Sequence, residues 1–304
     1  MSNKEGKITF IGGRNAGRKV VGFLNKRNEN LTDLFVEGTR VRGSGFVPFD
    51  DLIKENQRLY SVEKIRDYTE QIRNAQPDII LVAGCSEIIS KDILNIPRHG
   101  VIGFHYAPLP DRRGCNPVMW TLIHGLTESG VTAFYYDRGI DTGDIIDIGR
   151  FPVTSDDDSK SLLEKCESSI LGLLEKHLDK LKNETASRIS QNGPGIYTPR
   201  RTAEDGKIDW ATTTAIDVFN KVRALRPPYL GAYAEFGSIK DKKRDRIYIL
   251  KVEPVDKLDE SKVIDWKKYT PEQVHDMVKN GKAFSLTGNG KLNILETRLS
   301  ELKE

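Results

Sequence analysis

The residues best suited to chemistry lie in the segment 101–149, where one histidine precedes a group of aspartates. His105 closes the apolar run VIGFH, and Asp137, Asp141 and Asp144 follow in DRGIDTGD. A carboxylate beside an imidazole fixes the orientation of the ring and raises its pKa, as general acid–base catalysis requires. We therefore predict a catalytic pair of His105 and an aspartate, with a purely structural histidine as the alternative.

The elements around these residues are expected to bring the pair together at one edge of a sheet. Residues 101–105 and 131–136 are predicted strands, and residues 117–124 are a predicted helix that begins with proline. If the helix is a right-handed crossover, the two strands are parallel. The loop 137–144 then emerges at the same edge as His105. Ligand crevices of open α/β sheets form at that edge.

Strands and helices alternate through the first part of the chain. Short apolar runs that end in glycine predict strands at residues 7–13 and 77–84. Apolar residues at helical spacing predict helices at residues 15–26 and 159–182. This alternation is typical of a doubly wound sheet. We predict an α/β fold with a Rossmann-like, mostly parallel sheet.

The pattern changes after the polar segment 183–195, a predicted linker that contains Asn-Gly-Pro-Gly. Short strands follow, and the last two flank Gly288-Asn289-Gly290, a strong hairpin signal. We therefore predict a smaller, mainly β, OB-like domain at the C-terminus. The predicted domains cover residues 1–190, the Rossmann-like catalytic domain, and residues 197–304.

Composition excludes several classes of protein. The 304 residues carry 47 basic and 44 acidic side chains, without the single-sign excess typical of nucleic-acid or membrane binding. Apolar runs are far shorter than the roughly 20 residues of a bilayer span. The N-terminal segment lacks the apolar core of a secretory signal. Cys85, Cys115 and Cys166 are widely spaced and odd in number, so we expect no disulfide framework, no metal site and a cytoplasmic location.

Several motifs together resemble the formyltransferases that use 10-formyltetrahydrofolate. HYAPLPDRRG and then GVTAFYYDRGIDTGDI are similar to the family pattern Asn-x-His-x-Ser-Leu-Leu-Pro, Arg-Gly-x-x-Pro, Gly-Val-Thr and Asp-x-Gly-x-Asp-Thr-Gly-Asp. TPRRTAEDGKIDW and VRALRPPYLGAY resemble the C-terminal subdomain of nucleotide-sugar N-formyltransferases and methionyl-tRNA formyltransferase. The motifs span roughly residues 78–236.

The resemblance assigns roles to individual residues. His105 matches the family's catalytic histidine, and Asp141 matches its catalytic aspartate. The family's asparagine, thought to polarise the formyl oxygen, falls on Gly103, which has no side chain to do so. Removal of one oxyanion donor typically costs about 3 to 4 kcal/mol. We predict that Asn116 supplies the missing donor, with the N-cap of the following helix as its alternative role.

The resemblance also implies the cosubstrate, 10-formyltetrahydrofolate, and no metal. Its pterin is expected at two turns, mainly through backbone groups. The residues predicted to bind it are Ala83, Gly84, Cys85, Ser86, Ile88, Asp137, Gly139 and Asp144.

The acceptor is the least determined part of the prediction. We predict the primary amine of a nucleotide-linked amino-dideoxy sugar, because the motifs RRTAEDGKIDW and RPPYLGAY resemble those enzymes. Methionyl-tRNA is the alternative, disfavoured by the low net charge and by the lack of a basic insertion in residues 32–50. A folate-dependent hydrolase also stays open. A catalytically weak or dead folate- or sugar-binding protein stays open because the family's asparagine falls on Gly103. No membrane partner is expected, and the sequence leaves room for a homodimer.

Overall fold

The computed structural model describes residues 6–38, 46–236, 246–257, 262–264, 268–281 and 283–299. Residues 39–45, within the segment 32–50 considered above, lie outside this range. No helix among the described residues is both long enough and apolar enough to cross a membrane.

Within the described residues, seven strands form one mixed sheet in the order β3-β2-β1-β4-β5-β7-β8. Neighbours from β3 to β5 are parallel, whereas β5, β7 and β8 pair antiparallel. The strands are β1 Ile8–Gly12, β2 Leu31–Glu37, β3 Arg58–Val62, β4 Ile79–Ala83, β5 Val101–His105, β7 Glu128–Tyr135 and β8 Ile145–Pro152. β6 Arg113–Gly114 and β9 Tyr197–Thr198 form a separate parallel pair.

Five α-helices lie between β1 and β9 in the part of the chain that the structure describes. They are α1 Arg14–Lys26, α2 Thr69–Ala75, α3 Lys91–Leu94, α4 Pro117–Ile123 and α5 Ser159–Lys182. α1 buries one face, which includes Val20, Val21 and Leu24. Every residue of β4 is buried, as expected of a central parallel strand that is covered on both faces. The Rossmann-like α/β prediction is confirmed.

The orientation of β7 differs from the sequence prediction. β7 pairs antiparallel with β5, and His105 lies opposite Thr132 while Ile102 lies opposite Tyr135. The crossover rule does not apply, because it holds only for connections between parallel strands. The loop 137–144 therefore leaves β7 at the end of β5 that is remote from His105. It reaches the histidine only because it folds back.

The C-terminal part is mainly β, as predicted. Its four described strands pair antiparallel in the order β10-β11-β13-β12. The predicted hairpin joins β12 to β13, where Leu286 lies opposite Lys291 and Thr287 N–H donates to the Gly290 carbonyl at 2.9 Å. The elements are α6 Ala215–Leu225, β10 Ala232–Glu235, β11 Arg246–Pro254, α7 Pro271–Lys279, β12 Phe284–Leu286 and β13 Lys291–Leu299.

The chain divides into two compact units that do not follow a single cut. The first consists of Met1–Pro117, Glu128–Pro152 and Glu164–Thr198, and the second of Val118–Thr127, Val153–Leu163 and Pro199–Glu304. The segment 183–195 belongs to the first unit, where Ile189 forms a bridge with Ile145. It is therefore more than a linker. The domain bounds 1–190 and 197–304 stay a prediction.

The motif TAEDG in the second unit has a structural role. Thr202 and Asp205 form a capping box around the short helix Ala203–Gly206. Glu204 accepts hydrogen bonds from Arg246 at 2.9 Å and from the Tyr233 hydroxyl at 3.1 Å. These bonds join the motif to β10 and β11, so its residue types are explained by packing.

Arg223 of the motif VRALRPPYLGAY is likewise structural. Its side chain is buried, donates to the carbonyls of Thr154 and Asp157 at 2.7 and 3.1 Å, and donates to Asn220 at 2.9 Å. All four residues lie in the second unit. The arginine therefore satisfies buried acceptors and holds the chain around residues 154–157 against α6.

Candidate active site

His105, the last residue of β5, is 7% exposed. Its Nε2 lies 2.7 Å from the carbonyl oxygen of Arg112. Because a carbonyl oxygen only accepts hydrogen bonds, Nε2 carries a proton and donates it. In the neutral imidazole, the lone pair therefore lies on Nδ1.

The other ring nitrogen of His105 faces Asp141. Nδ1 lies 3.4 Å from Asp141 Oδ2, and the same carboxylate oxygen accepts a hydrogen bond from Gly114 N–H at 2.8 Å. The backbone of the adjacent loop thus holds the carboxylate in place. The arrangement suits an imidazole that becomes charged during a reaction, because a protonated Nδ1 would meet a fixed negative charge.

The pKa of His105 is lowered from its ordinary value. Burial is the largest cause, since it penalises the imidazolium; the charge of Asp141 and the hydrogen bond to the Arg112 carbonyl act in the opposite direction. A histidine with a lowered pKa is neutral at pH 7 and can accept a proton. The pair thus combines a base with a carboxylate that stabilises its charged form.

Three residues around this pair have left-handed backbone conformations. Arg112 and Asn116 both have φ of 56°, and Asp141 has φ of 54°. Asparagine and aspartate tolerate this region, whereas arginine is uncommon there. The Arg112 conformation presents its carbonyl to His105, and the Asp141 conformation turns its carboxylate toward the ring. Such conformations cluster at functional sites when the surrounding structure holds them in place.

The loop after β5 is fixed against β7. Leu109 N–H donates to the Thr132 hydroxyl at 2.9 Å, and that hydroxyl donates to the Ala107 carbonyl at 2.7 Å. Leu109 also packs against Phe134 and Ile145. This loop therefore folds over the sheet and carries Arg112 back to His105.

Gln191 connects the two loops that carry the site, and the sequence did not single it out. Its amide nitrogen donates to the carbonyls of Asp141 and Gly143 at 2.9 and 2.7 Å. Its amide oxygen accepts from Arg113 at 3.0 and 2.7 Å. One glutamine in a polar segment has no recognisable spacing, so only the folded structure identifies this positioning residue.

The loop 137–144 holds its own shape through the motif DRGIDTGD. Asp137 accepts hydrogen bonds from Gly139 N–H at 2.9 Å and from the Thr142 hydroxyl at 2.7 Å. A Cβ at Gly143 would lie 1.8 Å from the Tyr135 carbonyl oxygen, so only glycine fits there. The Asp144 carboxylate accepts from the Ser190 hydroxyl at 3.0 Å. The Asp137 carboxylate thus accepts hydrogen bonds from its own loop and the Asp144 carboxylate accepts from Ser190, so the loop offers mainly backbone groups to a ligand.

The predicted folate turn at residues 83–88 follows β4, the neighbour of β5. Val82 pairs with Gly103, so the turn leaves the sheet at the same end as His105. Ala83 is buried, Gly84 has φ of 65°, and Ile88 is 82% exposed.

Two other residues of this turn, Ser86 and Cys85, have side chains that can donate a hydrogen bond. Ser86 donates to Glu37 through its backbone N–H at 2.6 Å and its hydroxyl at 3.0 Å. Burial raises the pKa of the Cys85 thiol to about 12, so it stays protonated.

Asn116 and Gly103 lie on the two segments that flank His105. Asn116 is half-buried and directly precedes α4. Gly103 lies two residues before His105, and the Tyr136 ring covers it. Among the described residues, no group of three or more His, Cys, Asp and Glu could hold a metal ion.

Comparisons with known proteins identify relatives over most of the chain. The profile of the family "Formyl transferase" matches residues 42–170, and that of "Formyl transferase, C-terminal domain" matches residues 200–263. Methionyl-tRNA formyltransferase of Geobacter metallireducens is 33% identical over 236 residues, which cover 74% of this chain and 75% of that relative. The enzyme of the same name from Citrifermentans bemidjiense is 30% identical over 236 residues, which cover 75% of this chain and 74% of that relative.

Solved structures share the fold at lower identity. HypX from Aquifex aeolicus in complex with tetrahydrofolic acid matches 98% of this chain and 45% of its own chain, with a TM-score of 0.67 and 17% identity. The N-formyltransferase from Helicobacter canadensis, in complex with folinic acid and dTDP-3-aminofucose, matches 83% of this chain and 88% of its own chain, with a TM-score of 0.65 and 19% identity.

Proposed function

The chain belongs to the formyl transferase family, and from this premise we propose that it transfers the formyl group of 10-formyltetrahydrofolate to a primary amine, with His105 and Asp141 as the catalytic pair. The observation that carries the assignment of the pair is the buried imidazole whose Nδ1 lies 3.4 Å from Asp141 Oδ2. Acyl transfer to an amine needs a group that accepts a proton and later returns it. A neutral His105 is such a group.

The first half of the reaction forms the new bond. The amine lone pair attacks the formyl carbon, and the C=O π pair moves onto oxygen to give a tetrahedral intermediate. His105 Nδ1 takes the proton that the amine nitrogen loses. The resulting imidazolium donates Nε2–H to the Arg112 carbonyl and faces the Asp141 carboxylate with Nδ1–H. Asp141 therefore stabilises the charged form without moving.

The second half returns the proton. The oxygen lone pair re-forms C=O, and the bond from the formyl carbon to N10 of the folate breaks. His105 Nδ1–H gives its proton to N10 as the electron pair arrives there. The products are the N-formylated acceptor and tetrahydrofolate, and the histidine is neutral again.

The turn 83–88 and the loop 137–144 are proposed to hold the folate. Both carry residues of the earlier prediction, and the turn leaves the sheet at the end where His105 lies. The exposed Ile88 side chain offers apolar contact area for a pterin ring, and the loop offers backbone groups because Asp137 is engaged internally.

The relatives favour methionyl-tRNA as the acceptor over the amino sugar predicted from sequence. Both relatives described above carry that substrate in their names and cover about three quarters of the chain. The motif RRTAEDGKIDW, from which the amino sugar was predicted, contains Thr202, Glu204 and Asp205, whose contacts serve packing and capping. The motif therefore carries little weight for the acceptor.

A nucleotide-linked amino sugar remains the second candidate because of charge. A tRNA-binding enzyme must neutralise many phosphates, and this chain has only three more basic than acidic side chains. An acceptor with two phosphates requires fewer basic side chains to neutralise it. Both candidates offer the primary amine that the mechanism requires.

Formylation assays with both acceptors test this proposal. The full chain is incubated with 10-formyltetrahydrofolate and either methionyl-tRNA or nucleotide-linked amino-dideoxy sugars, and N-formyl product is measured by mass spectrometry. We expect product with methionyl-tRNA, and a KM that rises about tenfold or more between about 50 and 200 mM salt because phosphate contacts are lost.

The other outcomes are equally informative. Product only with amino sugars, and a KM that changes little with salt, would replace the acceptor and keep the reaction. Folate binding with no product from any amine would contradict the proposed transfer and favour a catalytically dead binding protein. Release of formate without acceptor would favour a hydrolase.

A further inference from the structure

The Tyr136 side chain occupies the space above Gly103. A Cβ built on Gly103 would lie 2.0 Å from Tyr136 Cε1 and 2.7 Å from Cζ, the ring carbon that bears the hydroxyl. No other side chain is compatible with the ring in this position. The hydroxyl oxygen is bonded to Cζ, so it lies close to the position that a side chain at residue 103 would occupy.

The strand pairing places Tyr136 on the face of the sheet that carries His105. Alternate residues of β5 share one face, so Gly103 and His105 point to the same side. Tyr136 follows the end of β7, and its N–H donates to the Val101 carbonyl at 2.8 Å. Its ring leans from there along β5 toward Gly103, as diagonal neighbours on paired strands can do.

The hydroxyl stays protonated at neutral pH. Burial raises the pKa of Tyr136, and the neighbouring Cys85 and Asp141 raise it further because their negative forms oppose a phenolate. A protonated phenol donates one hydrogen bond. The influence of Asp141 indicates that the hydroxyl lies within electrostatic range of the catalytic pair.

Acyl transfer requires a donor at the formyl oxygen, where negative charge develops in the transition state. In the proposed mechanism, His105 Nε2–H is engaged by the Arg112 carbonyl, and Asp141 only accepts. The pair therefore leaves the oxyanion without a donor. Gly103 supplies none, since it has no side chain.

We propose that the Tyr136 hydroxyl, positioned over Gly103 on the His105 face of the sheet, donates the hydrogen bond that stabilises the oxyanion of the tetrahedral intermediate. This inference rests on the proposed formyl transfer and deepens it. The tyrosine keeps its proton throughout, while the π pair moves to the formyl oxygen and returns. Tyr136 and Gly103 thus act together, because only glycine at position 103 leaves room for the ring.

The first test is Tyr136→Phe, which keeps the ring and removes the hydroxyl. We expect turnover to fall about 100-fold and the KM for the folate to rise by no more than about tenfold, because the hydrogen bond is strongest when negative charge develops on the formyl oxygen. The matched control is Tyr135→Phe, since Tyr135 precedes it on the opposite face and stacks on Arg188 through its ring. That control should turn over at the wild-type rate. Equal turnover in wild type and Tyr136→Phe would overturn the inference.

The second test does not depend on the acceptor or on turnover. Binding of 10-formyl-5,8-dideazafolate, which carries the formyl group, is compared with binding of 5,8-dideazafolate, which lacks it. We expect Tyr136→Phe to weaken binding of the formylated compound about threefold to tenfold more than binding of 5,8-dideazafolate. This range corresponds to the loss of one hydrogen bond. Equal weakening of both, or of neither, would contradict a contact with the formyl oxygen even if the wild type formylated no amine.

The third test exchanges the donor. Gly103→Asn alone should abolish turnover, because its side chain collides with the Tyr136 ring. The double variant Gly103→Asn with Tyr136→Ala should have a turnover at least tenfold higher than Tyr136→Ala alone, because the asparagine amide then serves as the donor. Turnover of Asn116→Gly, which keeps the left-handed backbone and removes the other candidate amide, is measured beside that of Tyr136→Phe. A large loss in Asn116→Gly with no loss in Tyr136→Phe would assign the donor to Asn116 instead.

Discussion

Replacement of His105 by asparagine is expected to lower turnover about 100-fold or more, within the range of general acid–base catalysis. Asparagine is a smaller polar side chain that cannot take a proton from the amine. Turnover is measured with saturating folate and acceptor. The exposed His124, exchanged for asparagine, is the control.

Folding must be checked in the same variant because His105 is buried rather than placed at an exposed loop edge. The thermal midpoint and the affinity for the formylated folate analogue show whether the site has survived. Wild-type turnover in a folded His105→Asn protein would exclude the histidine as the base.

Asp141→Asn is expected to lower turnover by a similar factor, about 100-fold, for a different reason. The amide oxygen can still accept from Gly114 N–H, and asparagine tolerates the left-handed backbone at this position. The variant loses only the negative charge that stabilises the imidazolium. Asp111→Asn, an exposed residue of the neighbouring loop, is the matched control.

The pH dependence of Asp141→Asn has a defined sign. The Asp141 charge raises the pKa of His105 against the larger effect of burial. Without that charge the pKa of His105 falls further, so the imidazole stays neutral to lower pH. An NMR titration of the His105 ring in wild type and variant measures the shift. An unchanged or raised pKa in the variant would show that the two side chains do not interact.

The sequence was informative where a long segment has one dominant pattern. The apolar run of β4 and the helical spacing in α5 predicted elements that the structure contains. β2 and β3 were missed: β2 carries a buried acidic residue, Asp33, and β3 is mostly not buried, so neither shows a clear alternation. The hydrophobic pattern predicts buried apolar segments well. It fails for a strand such as β2, where the acidic Asp33 is buried in an ion pair with Arg58.

The proximity of His105 and Asp141 was predicted from an incorrect arrangement of strands. β7 is antiparallel to β5, so a shared sheet edge does not bring the loop to the histidine. The contacts that do so include those of Leu109, Thr132 and Gln191, which join residues far apart in sequence. Local patterns contain no information about such contacts. The resemblance to the family identified the pair, whereas the strand argument did not.

The role of Tyr136 could not be predicted from the sequence either. The resemblance showed that the family's asparagine donor is absent at Gly103. Asn116, the nearest side-chain amide in the following segment, was therefore predicted to replace it. Tyr136 lies 33 residues further along the chain and reaches Gly103 only across the strand pair β5–β7. A functional replacement from a neighbouring strand needs the register of the sheet, which sequence spacing does not provide.

The claim that a neutral His105, with its lone pair on Nδ1, is the base of formyl transfer is tested most directly by nitrogen-15 NMR of the imidazole in the free enzyme near pH 7.5. His105→Asn identifies the signals of this ring. A protonated, pyrrole-type Nε2 and an unprotonated, pyridine-type Nδ1 are expected, because Nε2 donates to the Arg112 carbonyl. A proton on Nδ1 at this pH, either in the other tautomer or in an imidazolium, would contradict the claim.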